Sequence, residues 1–233
     1  MSGMGVDIAD LNADQRPDFL LSDAGRPRLL LSIIDGTWAD AGSALGLDLL
    51  EGQTEGWATS LADFDHDGDI DASMVWGPNL GEDEDQPGSL WENKDGYFVA
   101  RTAPGQPQAG VSAAAVDLNL DGFLDLVLSP NNAPATVHLG TCDASSWSTL
   151  SLLGTPGNPE GVGARLDIEA GGITQTRWLF AGGTSYVVSQ PVEAHFGLNG
   201  APRIDRVVVH LGGMEYTWSD LPVNQRLRLD LGG

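Results

Sequence analysis

Three short acidic segments carry the residues whose types and spacing could do chemistry. They read DLNADQRPD over 10–18, DFDHDGDID over 63–71 and DLNLDGFLD over 117–125, so their first residues lie 53 and 54 positions apart. All three fit the pattern D-x-[DN]-x-D-x-x-x-D, in which the oxygens at positions 1, 3 and 5 can face one point when the loop curls. A carboxylate at position 9 and a backbone carbonyl at position 7 would complete a cage for Ca²⁺, which takes about six to eight oxygen ligands.

We call these segments loop 1, loop 2 and loop 3 and expect them to hold about three Ca²⁺ ions. The expected side-chain ligands are Asp10, Asn12, Asp14, Asp18, Asp63, Asp65, Asp67, Asp71, Asp117, Asn119, Asp121 and Asp125, and the expected carbonyl ligands belong to Arg16, Asp69 and Phe123. An EF-hand is excluded, because its bidentate Glu at position 12 is replaced by Leu21, Met74 and Leu128. Solvated acidic turns would not explain a pattern that recurs three times in register.

The elements around these loops are predicted to be β-strands. Each loop follows a half-alternating run (5–9, 57–62 and 111–116) and precedes a strand-like run (18–21, 71–76 and 124–128). A second pair of strand-like segments follows, the last pair being 135–139 and 149–153. Four short strands per repeat are typical of a β-propeller blade. The sequence therefore predicts an all-β fold, with a partial propeller of about three calcium-binding, four-stranded blades over 1–154.

From residue 157 onward the acidic repeat stops and apolar residues alternate with polar ones. This alternation predicts half-buried antiparallel strands, and hence a small β-sandwich over 155–233 that docks on the last blade. Arg165 and Arg177 are expected on neighbouring strands, where they either pair with Glu169 or Asp167 or form a small anion site. His195 beside Phe196 is expected to be a packed, hydrogen-bonded histidine rather than a metal ligand or a base.

The acidic segments resemble FG-GAP (VCBS-like) repeats, and the likeness covers residues 4 to about 150. The residues from 157 onward are similar to the ASPIC/UnbV domain, which follows such repeats in proteins related to cartilage acidic protein 1. The segments that carry this likeness include Gly161-Val-Gly-Ala-Arg165, Gln175-Thr-Arg177 and His195-Phe-Gly-Leu198. The resemblance implies that each ion ties the first strand of a blade to the second and has a structural role.

Charge excludes several classes of partner. Lys and Arg number 11 against 33 Asp and Glu, which gives a net charge of −22. Nucleic acid is excluded as the main partner, because its binding needs a basic face. No apolar stretch reaches the roughly 18 to 20 residues that cross a bilayer, so no membrane insertion is expected. No charged segment followed by an apolar one opens the chain, so a signal peptide is expected to be absent from it. Residues 1–150 carry −20 of the net charge.

No common catalytic motif occurs in the chain. The sequence favours a non-catalytic, calcium-stabilised module for adhesion or assembly that binds a protein or glycan ligand in an extracellular, cell-surface or periplasmic location. One alternative is part of a polysaccharide-active propeller enzyme whose catalytic site lies on missing blades or on a partner chain. Another is a structural subunit of a surface assembly. Because three blades do not close a ring, a second chain could complete the propeller.

Overall fold

The computed structural model describes residues 4–48, 55–78, 85–103, 109–131, 133–141, 145–183 and 188–232. These residues form eighteen β-strands and one 3-10 helix, Ser43–Leu45. The strands are β1 Val6–Ala9, β2 Asp18–Leu21, β3 Arg28–Ser32, β4 Trp38–Asp40, β5 Glu55–Ala62, β6 Asp71–Gly77, β7 Ser89–Lys94, β8 Tyr97–Arg101, β9 Gly110–Val116, β10 Asp125–Pro130, β11 Thr136–His138, β12 Trp147–Leu153, β13 Arg165–Ala170, β14 Ile173–Trp178, β15 Ala194–Gly197, β16 Ile204–Leu211, β17 Met214–Leu221 and β18 Gln225–Asp230.

The first two sheets are four-stranded antiparallel meanders, ordered β1-β2-β3-β4 and β5-β6-β7-β8. The third sheet has the order β11-β10-β9. In each of the three, an acidic loop joins the first strand to the second. The fold is therefore all-β and propeller-like, which confirms the predicted class and the placement of the loops between strands.

The prediction of three four-stranded blades is wrong in detail. Among the described residues the third sheet has three strands, and 149–153, expected to be its fourth, lie in β12. This strand instead pairs antiparallel with β15 and parallel with β18. The reason is burial: Leu150 and Leu152 point into the same apolar core as Leu229, a contact that the third sheet does not offer.

The C-terminal residues form two sheets, β15-β12-β18 and β14-β13-β16-β17, which share one core. We call these two sheets the C-terminal unit. It does not dock on the last blade alone, because β14 also contacts β1 and β15 contacts loops 2 and 3. Strand β5 packs against both β1 and β9. The five sheets thus form a propeller-like ring, in place of three blades with a separate sandwich.

Small residues allow the neighbouring sheets to approach closely. Ala58 and Ala113 are buried between the second and third sheets with Val75 and Leu126. A Cβ on Gly77 would lie 2.5 Å from the carbonyl oxygen of Gly110, which is too close for any side chain. The small-residue runs before the loops are therefore explained by packing around the centre of the ring.

Candidate metal centres

The three acidic loops share one backbone conformation. Position 4 has a positive φ in each, 56° at Ala13, 60° at His66 and 61° at Leu120. Position 6 does too, at 101° in Gly68, 94° in Gly122 and 62° in Gln15. Glycine adopts this region without strain, whereas an L-residue costs about 1–2 kcal/mol there. Loop 1 thus adopts the same backbone conformation as loops 2 and 3, with the strain of a positive φ at Gln15.

The carboxylate at position 1 holds each loop curled. Asp10 accepts the backbone N–H groups of Asp14 at 3.0 Å and Gln15 at 2.8 Å. Asp117 accepts the two equivalent N–H groups, each at 3.1 Å, and Asp63 accepts the N–H of Gly68 at 3.1 Å. The oxygens at position 5 accept the N–H of position 7 at 2.9 Å in all three loops. These bonds turn the side chains toward the loop interior.

The carboxylate at position 9 ties loops 1 and 2 to the third strand of their sheets and loop 3 to Gly140, two residues after the third strand ends. One oxygen of Asp71 accepts the N–H of Phe64 at 2.9 Å, and the other accepts the N–H of Asn93 in β7 at 2.8 Å. Asp18 bonds Leu11 and Ser32 in the same way, and Asp125 bonds Leu118 and Gly140. All three carboxylates are buried. Position 9 is thus a structural clamp as well as an expected ligand.

Loop 2 has the densest set of carboxylates. Asp63, Asp65 and Asp71 place one oxygen each within 4.8 Å of one another. The Oδ1 atom of Asp63 is buried and has no hydrogen-bond partner, a costly state for an anionic oxygen. A cation at the centre of the loop would satisfy this oxygen and the crowded anions around it, so the residues present fit Ca²⁺.

Burial changes the acidity of these carboxyl groups. Desolvation raises the pKa of Asp63 to about 7 and that of Asp71 to about 8. The same cause raises the pKa values of Asp10, Asp18, Asp65, Asp69 and Asp117. Desolvation outweighs the nearby charges of Arg177 and Lys94 in these shifts, and a bound divalent ion would reverse them.

The remaining expected ligands differ in their surroundings. Asn12 and Asn119 are exposed, and the Oδ1 atom of Asn119 accepts the N–H of Asp121 at 3.1 Å. Arg16, whose carbonyl was expected as a ligand, forms an ion pair with Asp14 through its side chain. In loop 2, Lys94 donates to Asp65 at 3.2 Å and to Asp67 at 3.0 Å. Because loops 1 and 3 have Asn at position 3, where loop 2 has Asp65, they present fewer carboxylates than loop 2.

The C-terminal unit rests directly on loops 2 and 3. The Nε2–H group of His195 donates to the carbonyl of Gly122 at 2.8 Å, and the N–H of Asn199 donates to the carbonyl of His66 at 3.1 Å. The His66 ring stacks on Phe123 with centroids 4.4 Å apart. A Cβ on Gly197 would lie 2.2 Å from Asp63 Oδ2. The expectation that His195 is packed and hydrogen-bonded is thus confirmed.

Arg177 is the residue whose role the sequence did not reveal. Arg165, for which the same two alternatives were expected, forms the ion pair with Asp167, at 2.8 Å. Arg177 instead donates to the carbonyl of Thr176 and to Oε1 of Gln175, each at 3.0 Å, and its guanidinium lies 5.2 Å from the Phe196 ring centroid. Desolvation lowers its pKa to about 10, while the charge of Asp63 opposes that shift. Only its position within the motif Gln175-Thr-Arg177 could have singled it out.

The tryptophans divide into core and surface. Trp57, Trp76, Trp91 and Trp147 are buried, whereas Trp38 is 49% exposed and packs edge-on against Phe19 with ring centroids 5.6 Å apart. Trp38 is therefore the tryptophan of this group that a ligand in solution could reach.

Comparison with known families agrees with this architecture. The family model described as FG-GAP-like repeat matches residues 10–72, which contain loops 1 and 2, and the model described as ASPIC and UnbV matches residues 154–233. No curated protein sequence matches the chain significantly. Within the described residues, no helix has the length and apolar character needed to cross a bilayer. The chain is an FG-GAP repeat protein with a C-terminal ASPIC/UnbV domain.

Proposed function

We propose that this chain is a non-catalytic, calcium-stabilised binding module that acts outside the cytoplasm, in adhesion or in the assembly of a larger surface structure. FG-GAP repeats and a propeller-like fold suit a binding or adhesion module. The observation that carries the proposal is the unpartnered Oδ1 of Asp63 in a loop whose conformation recurs twice more. Loops of this kind suit the millimolar Ca²⁺ concentration outside cells, at which a site of modest affinity stays occupied.

In this proposal calcium acts on stability rather than on chemistry. An ion that binds only the folded state stabilises it by about 2.7 kcal/mol when its concentration is a hundred times its Kd. Loops 2 and 3 bond the C-terminal unit, so ions in these two loops would also stabilise the surface on which that unit rests. The proposed ligand is a protein or a glycan, and a further chain remains a proposed partner.

Two exposed leucines in loop 3 support the proposal that the partner is a protein. Leu118 and Leu120 of loop 3 are 50% and 64% exposed. Their counterparts in loop 2 are Phe64, which packs against the third sheet, and His66, which is fully buried. Light scattering at several concentrations would show whether a second copy covers this pair, and a monomer at all of them would exclude self-association.

Thermal unfolding tests the calcium part of the proposal. The melting temperature should fall in EGTA and return when Ca²⁺ is added back, and Mg²⁺ should restore less because it demands a more rigid geometry. An identical melting curve in EGTA and in Ca²⁺ would contradict it. Glycan and extracellular-protein arrays, probed with the calcium-loaded chain, test the binding part, and release of reducing ends from a bound polysaccharide would instead favour an enzyme.

A further inference from the structure

Lys94, the last residue of β7, contacts two of the carboxylates that loop 2 offers to an ion. Its Nζ atom donates to Oδ2 of Asp65 at 3.2 Å and to Oδ2 of Asp67 at 3.0 Å. The Oδ1 atoms of these two carboxylates are bonded within the loop, to the N–H of Asp67 at 3.3 Å and to the N–H of Asp69 at 2.9 Å. In each of these two expected ligands, Lys94 therefore takes the oxygen that the loop backbone leaves available.

Only loop 2 has a lysine at this place. The position-9 carboxylate of loop 2 accepts the N–H of Asn93, and Lys94 is the next residue. The residues that follow the equivalent N–H groups beside loops 1 and 3 are Ile33 and Thr141, which carry no charge. In loop 1 a cation reaches position 5 from within the loop itself, through Arg16. The loop with the most carboxylates is thus the one that receives a cation from a neighbouring strand.

Glu92 gives Lys94 a second partner outside the loop. It lies two residues earlier on the same face of β7, and it forms ion pairs with Lys94 and with Arg101 of β8. The hydrogen bond to Glu92 is the main cause of a raised pKa of Lys94, so the ammonium group stays charged. The Lys94 side chain is 45% exposed, and it can leave the loop carboxylates without disturbing the core or losing its pair with Glu92.

An ion that enters loop 2 must replace the ammonium group at these oxygens or share them with it. Sharing is unfavourable, because it brings two positive charges close together. Breaking one partly exposed ion pair changes an equilibrium by about 1.5- to 5-fold. Two such pairs would weaken ion binding by about 2- to 25-fold. Without Lys94, the loop with the fullest set of carboxylates would bind its ion more tightly and would release it at a lower calcium concentration.

We propose that Lys94 is a tethered competitor of Ca²⁺, which lowers the affinity of loop 2 so that this loop responds to changes in calcium concentration outside the cell. The inference rests on the proposed calcium-stabilised function and names the residue that regulates one of its sites. At low calcium concentration the ammonium group offsets the repulsion between Asp65 and Asp67. At high calcium concentration the ion takes these two carboxylates, and the ammonium group keeps its pair with Glu92.

Calorimetric titration of the whole chelator-treated chain with CaCl₂ tests the inference. Lys94→Met keeps the length of the side chain and removes its charge, so one class of sites should bind Ca²⁺ at least about threefold more tightly while the other sites keep their affinity. Lys94→Arg keeps the charge and should stay closer to the wild type. Arg101→Met is the matched control, because it removes an equal charge beside Glu92 from a residue that does not contact loop 2, and it should change no affinity by more than about twofold.

Melting temperatures separate competition from a merely structural role of Lys94. Lys94→Met should melt at a lower temperature than the wild type in EGTA and should gain more than the wild type from saturating Ca²⁺. Equal destabilisation in EGTA and in Ca²⁺, an unchanged calcium affinity, or an equal tightening in Arg101→Met would overturn the proposal while leaving calcium stabilisation intact. A wild-type chain that binds no Ca²⁺ would instead refute the proposed calcium stabilisation, and this inference with it.

Discussion

Two glycines at the same loop position provide a direct test of how the C-terminal unit docks. Gly68 and Gly122 both occupy position 6, with φ values of 101° and 94°. A Cβ at Gly68 would meet its nearest neighbour, Gln175 Nε2, at 3.5 Å, whereas a Cβ at Gly122 would lie 1.8 Å from Cε2 of Trp147. The two Ala variants therefore share the backbone strain and differ in one contact with β12.

The strain costs about 1–2 kcal/mol, and the lower entropy of the unfolded Ala chain offsets about 0.4–1 kcal/mol of it. Gly68→Ala should thus lower the free energy of unfolding by about 1 kcal/mol. Gly122→Ala should lower it by a further 1–3 kcal/mol or so, the usual cost of forcing extra volume into a packed site. Urea unfolding in excess Ca²⁺, followed by circular dichroism, measures both.

The double variant of Gly122→Ala with Trp147→Ala isolates the contact. Removing the indole should shrink the gap between the Gly122 and Gly68 variants, because the added methyl group then enters vacated space. Equal losses for the two glycine variants, within about 0.5 kcal/mol, would show that β12 does not lie against loop 3 and would refute the docking described above.

Three further predictions concern single residues. Asp67→Ala should reduce the Ca²⁺-dependent rise in melting temperature more than Asp14→Ala, because loop 2 has the fuller set of carboxylates; equal effects would contradict that ranking. Gln15→Gly should stabilise the chain by about 0.5 kcal/mol in urea unfolding, since it relieves a φ of 62° at an exposed side chain, and a loss would show that this φ carries no strain. Burial raises the pKa of Asp7 to about 7 from 3.8, so the folded state keeps a proton that the unfolded chain releases, and Asp7 should add a fall in stability of about 1.4 kcal/mol per unit as pH rises from 4 to 7, beside the falls due to Asp63 and Asp71. Asp7→Asn should make that fall less steep in calorimetry, and an unchanged slope would remove Asp7 as one of its sources.

The local parts of the fold could be predicted because they depend on residues close in sequence. The carboxylates at positions 1, 5 and 9 bond backbone groups within their own loop, or in or just after the third strand of their own sheet, so one spacing specifies both the loop and its flanking strands. The pairing of β12 depends on Leu150 meeting Leu229. Such a contact between distant parts of the chain leaves no periodic signal, and the expected fourth strand of the third blade was wrong for that reason.

Arg177 and Ser60 illustrate the same limit. They come from β14 and β5, and nothing in either segment indicates that they line one cavity. A cavity lined by distant segments is visible in the structure and absent from any single motif.

The uneven charge of the two halves follows from how they meet. Residues 1–150 carry −20 of the net charge of −22, and the C-terminal unit directs cations at them: Arg226 lies 3.6 Å from Asp117 of loop 3, and Arg177 lies in the field of Asp10 and Asp63. Side-chain cations and Ca²⁺ would therefore neutralise some of the same carboxylates. Because His195 and Asn199 bond the backbone of loops 2 and 3, loss of the ions should loosen the loops and the docked unit together, so that calcium-free unfolding remains one transition instead of separating into two.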